Sequence, residues 1–297
     1  MKEKILITGF NGHIAKKLNL FLDSKKYELN YLTTQRKNCS NNIFYWNIQQ
    51  SYIDPQALIN TKHIIHLAGF NISNRWTAKN KTVMFESRVR SSQLLYNQCR
   101  SLKLKPKTFI SASAMGYYGF NGAGIKDENS KAGKDWMSDL CVNWEKMADQ
   151  FEQLNSRVCK LRFAVIIDDE SEIMRKINLS FQLGLGLIFG SGQQYFPWIH
   201  SHDVCRFIQH ILQNKNIQGA FNIASPEQKS YYQFIKKIQT INYPKSILLY
   251  IPKIIFDYII PEKKNLLFNN IKLSVNRLKK TGFNWEYSNI EEVITKQ

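Results

Sequence analysis

The sequence has little of what marks secreted, membrane-spanning or repeat proteins. Its five cysteines (Cys39, Cys99, Cys141, Cys159 and Cys205) are odd in number and scattered, with no CxxC pair. That argues against a disulfide framework or a cysteine zinc site and for reduced thiols, and no residue spacing suggests any other metal site. No apolar stretch approaches the roughly 18 residues a spanning helix needs. The first apolar run, Ile5-Leu6-Ile7-Thr8, passes straight into Gly9. Neither a leader peptide nor a membrane partner is therefore expected, and the expected location is cytoplasmic. Internal repeats and low-complexity linkers are also missing. Acidic residues are scarce, 23 against 41 lysines and arginines, for a net charge of +18. Such a balance can mark a nucleic-acid partner. Here the basic residues are spread along the chain, with only local pairs at Lys25-Lys26, Lys263-Lys264 and Lys279-Lys280. The expectation is solvated basic faces, no nucleic-acid role, and a field that draws in a phosphorylated cofactor or an acidic substrate.

What is present is a core. The 297 residues are 43% hydrophobic and 13% aromatic, enough for one large α/β domain or one with a smaller appendage. The chain opens on a short apolar strand, a glycine turn (Gly9-Phe10-Asn11-Gly12-His13-Ile14) and a helix start at Ala15. Glycine tolerates positive φ and has no Cβ, so backbone can approach a pyrophosphate closely. The first N–H groups of the following helix then point at the anion. GxxGxxA is weak evidence alone, and an ordinary strand–turn–helix is the bland alternative. Its position after a credible strand favours a dinucleotide site.

Further strands are expected at 28–34, 43–46, 64–68, 108–113 and 158–167, alternating with helical segments. That alternation predicts a parallel sheet with crossover helices. Gly9, Thr33 and Gly69 fall at the carboxyl ends of strands, where such sheets bind ligands. Helices are expected at 76–99, 135–154 and 203–213, and an amphipathic, mainly helical tail from Ser230, interrupted at Pro244, Pro252 and Pro261. The fold class is α/β: a Rossmann-like doubly wound parallel sheet with a smaller, mainly helical C-terminal substrate lobe. The expected division is 1–225 for the nucleotide-binding domain, with loops from about 168 on the substrate side, and 226–297 for the small domain.

The blocks ITGFNGHIA, HLAGFNIS-NRWT, ESRV, FISASAMGYYG, DLCVNWE, LGLGLIFGSGQQYFPWIHSHDV and FNIASP, with the closing KLSVNRLKKTGFNWEYSNIEEVI, resemble the epimerase-like branch of the extended short-chain dehydrogenase/reductase superfamily. The resemblance covers essentially the whole chain. It implies a pyrophosphate cradle at Gly9, Phe10, Asn11, Gly12, His13 and Ile14, and a cofactor-lining strand end at Leu67, Ala68 and Gly69. Thr33 and Thr34 stand where the branch often has an arginine, with Arg36 two residues on and Lys37 beside it. No carboxylate ends this strand, so NADP(H) is favoured over NAD(H). Asn47 stands where relatives have Asp near the adenine, and Phe70 where they often have Glu. Arg88 and Arg162 match the branch's basic positions. For each, a phosphate contact stands beside a bland alternative: a solvated helix face for Arg88, a structural arginine for Arg162.

The resemblance also implies a Ser, Tyr and Lys set, with Tyr and Lys four apart on one helix. Ser113 matches the serine, but Cys141 falls at the tyrosine and Glu145 at the lysine. The acid then has to be sought at Tyr118 or Tyr117, with ring packing under the loop the alternative for Tyr118. Cys141 as nucleophile is the weaker idea. Trp198 and His200 are expected on the substrate side, and Asp203 as a helix cap. The expected function is an NADP(H)-binding, epimerase-like oxidoreductase acting on an unidentified small molecule, with a homodimer as an open expectation. The alternative is a cofactor-binding regulatory or interaction protein without catalysis.

Overall fold

The computed structural model describes residues 2–120 and 123–295. Asn121 and Gly122, in the expected glycine-rich connection, lie outside the described residues. In chain order, β1 (Glu3–Thr8) leads through the glycine turn to α1 (His13–Phe21), followed by β2 (Tyr27–Thr33), β3 (Ile43–Asn47), β4 (Tyr52–Ile53) and β5 (Thr61–His66). Next come α2 (Ala78–Phe85), a π-helical turn (Glu86–Arg90), α3 (Ser91–Ser101), β6 (Thr108–Ala114), β7 (Ala123–Lys126) and α4 (Trp136–Asp149). The rest comprises β8 (Arg157–Phe163), β9 (Val165–Ile167), α5 (Glu172–Gln182), β10 (Leu185–Phe189), β11 (Trp198–His200), α6 (Ser201–Gln213), β12 (Gly219–Ile223), α7 (Tyr231–Asn242), β13 (Ile247–Ile251), α8 (Lys253–Ile259), α9 (Lys264–Leu267), β14 (Asn270–Leu273), α10 (Asn276–Lys280) and α11 (Ile290–Thr295).

Among the described residues the main sheet has eight strands in the order β12-β8-β6-β5-β1-β2-β3-β4. The pairs β1–β2, β1–β5, β2–β3 and β5–β6 are parallel, and the short β4 is antiparallel to β3. The chain builds outward from β1 to β3, then crosses back to β5 and builds the other way. The order therefore reverses beside β1, which makes the turn after Thr8 the topological switch point. Strands buried on both faces need continuous apolar runs. Ile5, Leu6, Ile7, Leu32, Ile64, Ile65, Phe109 and Ile110 meet that need and are all buried. In α1, Ile14, Ala15 and Leu18 turn inward while Leu20 stays exposed, as the 3.6-residue period requires.

The chain forms two compact units that interleave in sequence rather than divide at 225. The first is made of residues 1–114, 139–162 and 205–221, the second of 115–138, 163–204 and 222–297. The expected strand over 158–167 breaks at Ala164, and β9 pairs with β11 in the second unit. The tail is less helical than expected. Ile247–Ile251 forms a parallel pair with β10, and β14 pairs with β7. Their partners lie far off in sequence, beyond the reach of local periodicity. No helix among the described residues is long and apolar enough to cross a membrane, and no metal-ligating group of three is found among them.

Candidate functional site

The glycine turn sits in the first unit. Gly9 has φ +79°, and a Cβ on it would lie 3.1 Å from the Ala68 nitrogen. A Cβ on Gly12 would lie 2.9 Å from the Gly9 carbonyl oxygen, which accepts the Gly12 N–H at 2.7 Å. Gly12 is the N-cap of α1 and brings no side chain to cap it. The first helical N–H groups therefore open onto the turn, an arrangement suited to an anion. Ala15 is buried where a larger residue would push the helix off the sheet. Phe10 packs edge-on against Tyr31, ring centroids 5.4 Å apart, and Asn11 is exposed. His13 and Ile14 are the first two residues of the helix.

Two residues that sequence reading passed over lock this turn to its neighbours. Thr8 Oγ1 accepts the Leu67 and Ala68 N–H groups at 3.1 and 3.0 Å. With both acceptor sites taken, its proton goes to His66 Nδ1, 2.8 Å away. His66 is then neutral with its proton on Nε2, which faces Ser91 Oγ at 3.1 Å. Ser91 and Ser92 hydroxyls bond back to carbonyls of Ser87 and Arg88, in the π-helical turn. π-turns arise where such insertions interrupt the regular ladder. The only sequence signal was a histidine inside an apolar strand.

Burial of the His66 ring lowers its pKa from 6.5 to about 4. The sign follows from linkage. Above pH 6.5 neither folded nor unfolded chain carries this proton; between 6.5 and about 4 only the unfolded chain does, so stability falls across that window and levels off below it. Urea melts are expected to show wild type losing about 3 kcal/mol more than His66→Gln between pH 6.5 and 4.

At the carboxyl ends of β2 and β3, a cavity of about 250 Å³ is lined by Thr34, Tyr45, Trp46, Asn47, Val83 and Glu86 among others. Arg36 lies over the Tyr45 ring, 4.2 Å from its centroid. Thr34 and Arg36 are exposed, whereas Thr33 is buried with its hydroxyl accepting the Gln35 N–H. Thr33 thus shapes the loop. The Glu86 carboxylate is held by Arg90 at 2.8 Å.

The helix carrying the expected catalytic spacing holds a different network. Ser113 Oγ donates to Glu145 Oε1 at 2.7 Å. Arg162 closes on the same carboxylate through Nε to Oε1 and Nη2 to Oε2, both 2.8 Å. The side chains of Arg162 and Glu145 are only 4% and 7% exposed. Such a two-point fork fixes geometry as well as charge. Arg162 is therefore engaged by a carboxylate, the structural alternative left open above. Cys141 is corrected as a nucleophile: burial first, and the Glu145 charge second, push its thiol up to about 12, leaving no thiolate.

In the second unit Tyr118 is buried, with its hydroxyl shared between Asp127 O at 2.9 Å and Asn222 Oδ1 at 2.7 Å. The Asn222 amide nitrogen is committed to Lys126 O and Ser274 O, which fixes its oxygen toward the phenol. Tyr117 is half-buried and meets Tyr118 edge-on at 5.4 Å. Trp198 is corrected as a substrate contact: at 1% exposure it is a core residue of this unit. His200 stacks on Tyr287 at 3.7 Å. Asp203 is corrected as the N-cap, because α6 already begins at Ser201 and Asp203 lies inside its first turn. It accepts the N–H groups of Glu286 and Tyr287 at 2.8 and 2.9 Å, tying the C-terminal segment down.

With this geometry in hand, a family model described as NAD dependent epimerase/dehydratase family matches residues 5–224. An "Epimerase family protein" of Staphylococcus aureus (strain MRSA252) is 29% identical over 303 residues, covering 99% of this chain and 100% of that protein. One from Staphylococcus epidermidis is 27% identical over 296 residues, 98% of each. The crystal structure of human epimerase family protein SDR39U1 with NADPH superposes at a TM-score of 0.85 with 22% identity, covering 99% of this chain and 98% of that one. UDP-glucuronic acid 4-epimerase from Bacillus cereus with NAD gives 0.76 and 17%, covering 98% and 94%. At such identities these structures speak for the fold alone, a Rossmann-like one.

Proposed function

Because the chain belongs to the NAD dependent epimerase/dehydratase family, we propose that it is a cytoplasmic, NADP(H)-binding, epimerase-like oxidoreductase acting on a small molecule. The observation that carries this reading is the open N-terminus of α1 behind Gly9 and Gly12, at the switch point of the sheet. The residues fit a dinucleotide: a Cβ at Gly9 or Gly12 would meet backbone at 3.1 or 2.9 Å, so only glycines let the turn fold this tightly beneath the open helix N-terminus. Gly9–Ile14 would hold that group, with Leu67, Ala68 and Gly69 bordering it. A bound dinucleotide supplies or accepts hydride. The protein's own part is to bind it, orient it and manage protons near the reacting carbon.

Preference for NADP(H) is supported by the missing carboxylate after β2 and by the exposed Arg36 stacked on Tyr45. An arginine there can grip a 2′-phosphate. In calorimetric titrations NADPH is expected to bind about tenfold more tightly than NADH, and Arg36→Ala to bring the two together. Absence of binding of both to the folded wild type would remove the proposal.

A second reading is favoured by one feature, the Glu145–Arg162 fork where a lysine would stand. A carboxylate consumed by arginine cannot lower a neighbouring acid's pKa as a cation does. On this reading the protein binds the dinucleotide for a regulatory purpose without turnover. NADPH oxidation across a panel of carbonyl compounds separates the two, since any substrate-dependent turnover favours the first.

A further inference from the structure

The cation missing at position 145 has a counterpart on a different element. Arg88, in the π-helical turn, lies with its guanidinium carbon 5.2 Å from the Trp144 ring centroid, on the helix that also carries Cys141 and Glu145. Gly69, just beyond β5, is where it rests: a Cβ there would meet Arg88 Cζ at 2.9 Å and Nη2 at 3.0 Å. Nη1 donates to Met84 O at 3.2 Å and reaches Ser87 Oγ at 3.5 Å. Among the described residues Nε and Nη2 have no hydrogen-bond partner, and no carboxylate pairs with the charge. Arg88 is half-buried, and the partial desolvation brings its pKa down to about 10. Beside it, Trp144 is 5% exposed and its Nε1–H also lacks a partner among the described residues.

Arg88 Nε and Nη2 and the orphaned indole N–H, side by side, are donors without acceptors among the described residues. Each costs free energy until something rich in acceptor oxygens arrives. All three residues lie in the same compact unit as the glycine turn. Gly69 and Arg88 belong to the β5–β6 crossover and Arg36 follows β2, while the 250 Å³ cavity is lined from both, by Thr34, Tyr45 and Asn47 and by Val83, Glu86 and Ser87. A dinucleotide draped over the switch point spans both sides. We propose that Arg88 and the Trp144 N–H form a pocket for the nicotinamide-side ribose and phosphate oxygens, and that this guanidinium replaces the lysine lost at position 145. This rests on the proposed dinucleotide binding.

The test compares NADPH with 2′,5′-ADP, which carries only the adenine half, on wild type, Arg88→Met, Gly69→Ala and Trp144→Phe. Arg88→Met is expected to weaken NADPH by about tenfold or more and to leave 2′,5′-ADP unchanged within about twofold. Gly69→Ala should act in the same direction, because its methyl displaces a guanidinium that is still present. Trp144→Phe should weaken NADPH by about threefold or more, as for one lost hydrogen bond. Melting curves establish that each variant is folded; should Arg88→Met not fold, Gly69→Ala carries the test alone. Parallel loss of both ligands, or no loss of NADPH, overturns the pocket. Failure of wild type to bind NADPH or NADH overturns instead the dinucleotide reading on which it rests.

Discussion

Glu145→Ala is expected to lower stability by about 3–5 kcal/mol, the range for stripping one partner from a buried ion pair. The loss comes from the guanidinium left behind more than from the attraction removed. Arg162 is almost fully buried and its Nε and Nη2 both point at the carboxylate. Without it they lose a two-point acceptor in a low-dielectric interior. Ser113 would also lose the oxygen that receives its hydroxyl proton. Arg162→Met should cost a similar amount, by stranding the carboxylate. The double variant Glu145→Met/Arg162→Met should recover most of the loss, because an apolar pair of similar length leaves no buried charge. Urea denaturation of the four proteins measures the coupling; additive losses would show that the fork is not a unit. The same logic argues against restoring the family pattern by Cys141→Tyr with Glu145→Lys, which would set a third cation among Arg88 and Arg162.

Gly9→Ala is the second large expectation, with NADPH binding weakened by about tenfold to a hundredfold and a smaller loss of stability. An L-residue at φ +79° costs about 1–2 kcal/mol. The methyl would also press on backbone, 3.1 Å from Ala68 N and 3.2 Å from Leu67 C. That backbone cannot yield easily, since Thr8 Oγ1 holds the N–H groups of both residues and is itself bonded to His66. The strain is relieved by shifting the turn outward, into the volume a pyrophosphate would take. Paired calorimetry and thermal melts check this. Unchanged NADPH affinity with lowered stability would detach Gly9 from the ligand.

The two expectations differ in how visible they were beforehand. Gly9 and Gly12 are legible because local chain order (apolar run, glycine, helix) already encodes the geometry a phosphate needs. The i, i+4 pair Cys141 and Glu145 was legible as well, since spacing along a helix is a local property. What Glu145 does was not. Its partners Ser113 and Arg162 stand 32 and 17 residues away, and periodicity has no signal for which buried carboxylate meets which arginine. Tyr118 could be read only as a tyrosine near a strand end; that its proton is shared by Asp127 and Asn222 depends on chain 104 residues distant. Trp198 misled because the resemblance sets its segment on the substrate side, while its burial follows from β9 pairing with β11.

By itself, the sequence determined the alternation of strands and helices, the parallel sheet and the glycine turn at its switch point. These are set by near neighbours: hydrophobic period, backbone freedom at glycine, and spacing along a helix. Only the tertiary structure decided how the charges are shared out. It committed Arg162 to Glu145, locked the turn through Thr8 and His66, and left Arg88 over Trp144 without a carboxylate. Pairings of this kind depend on which distant segments desolvate one another, and a buried charge is satisfied or stranded only once the fold has brought its partner to it.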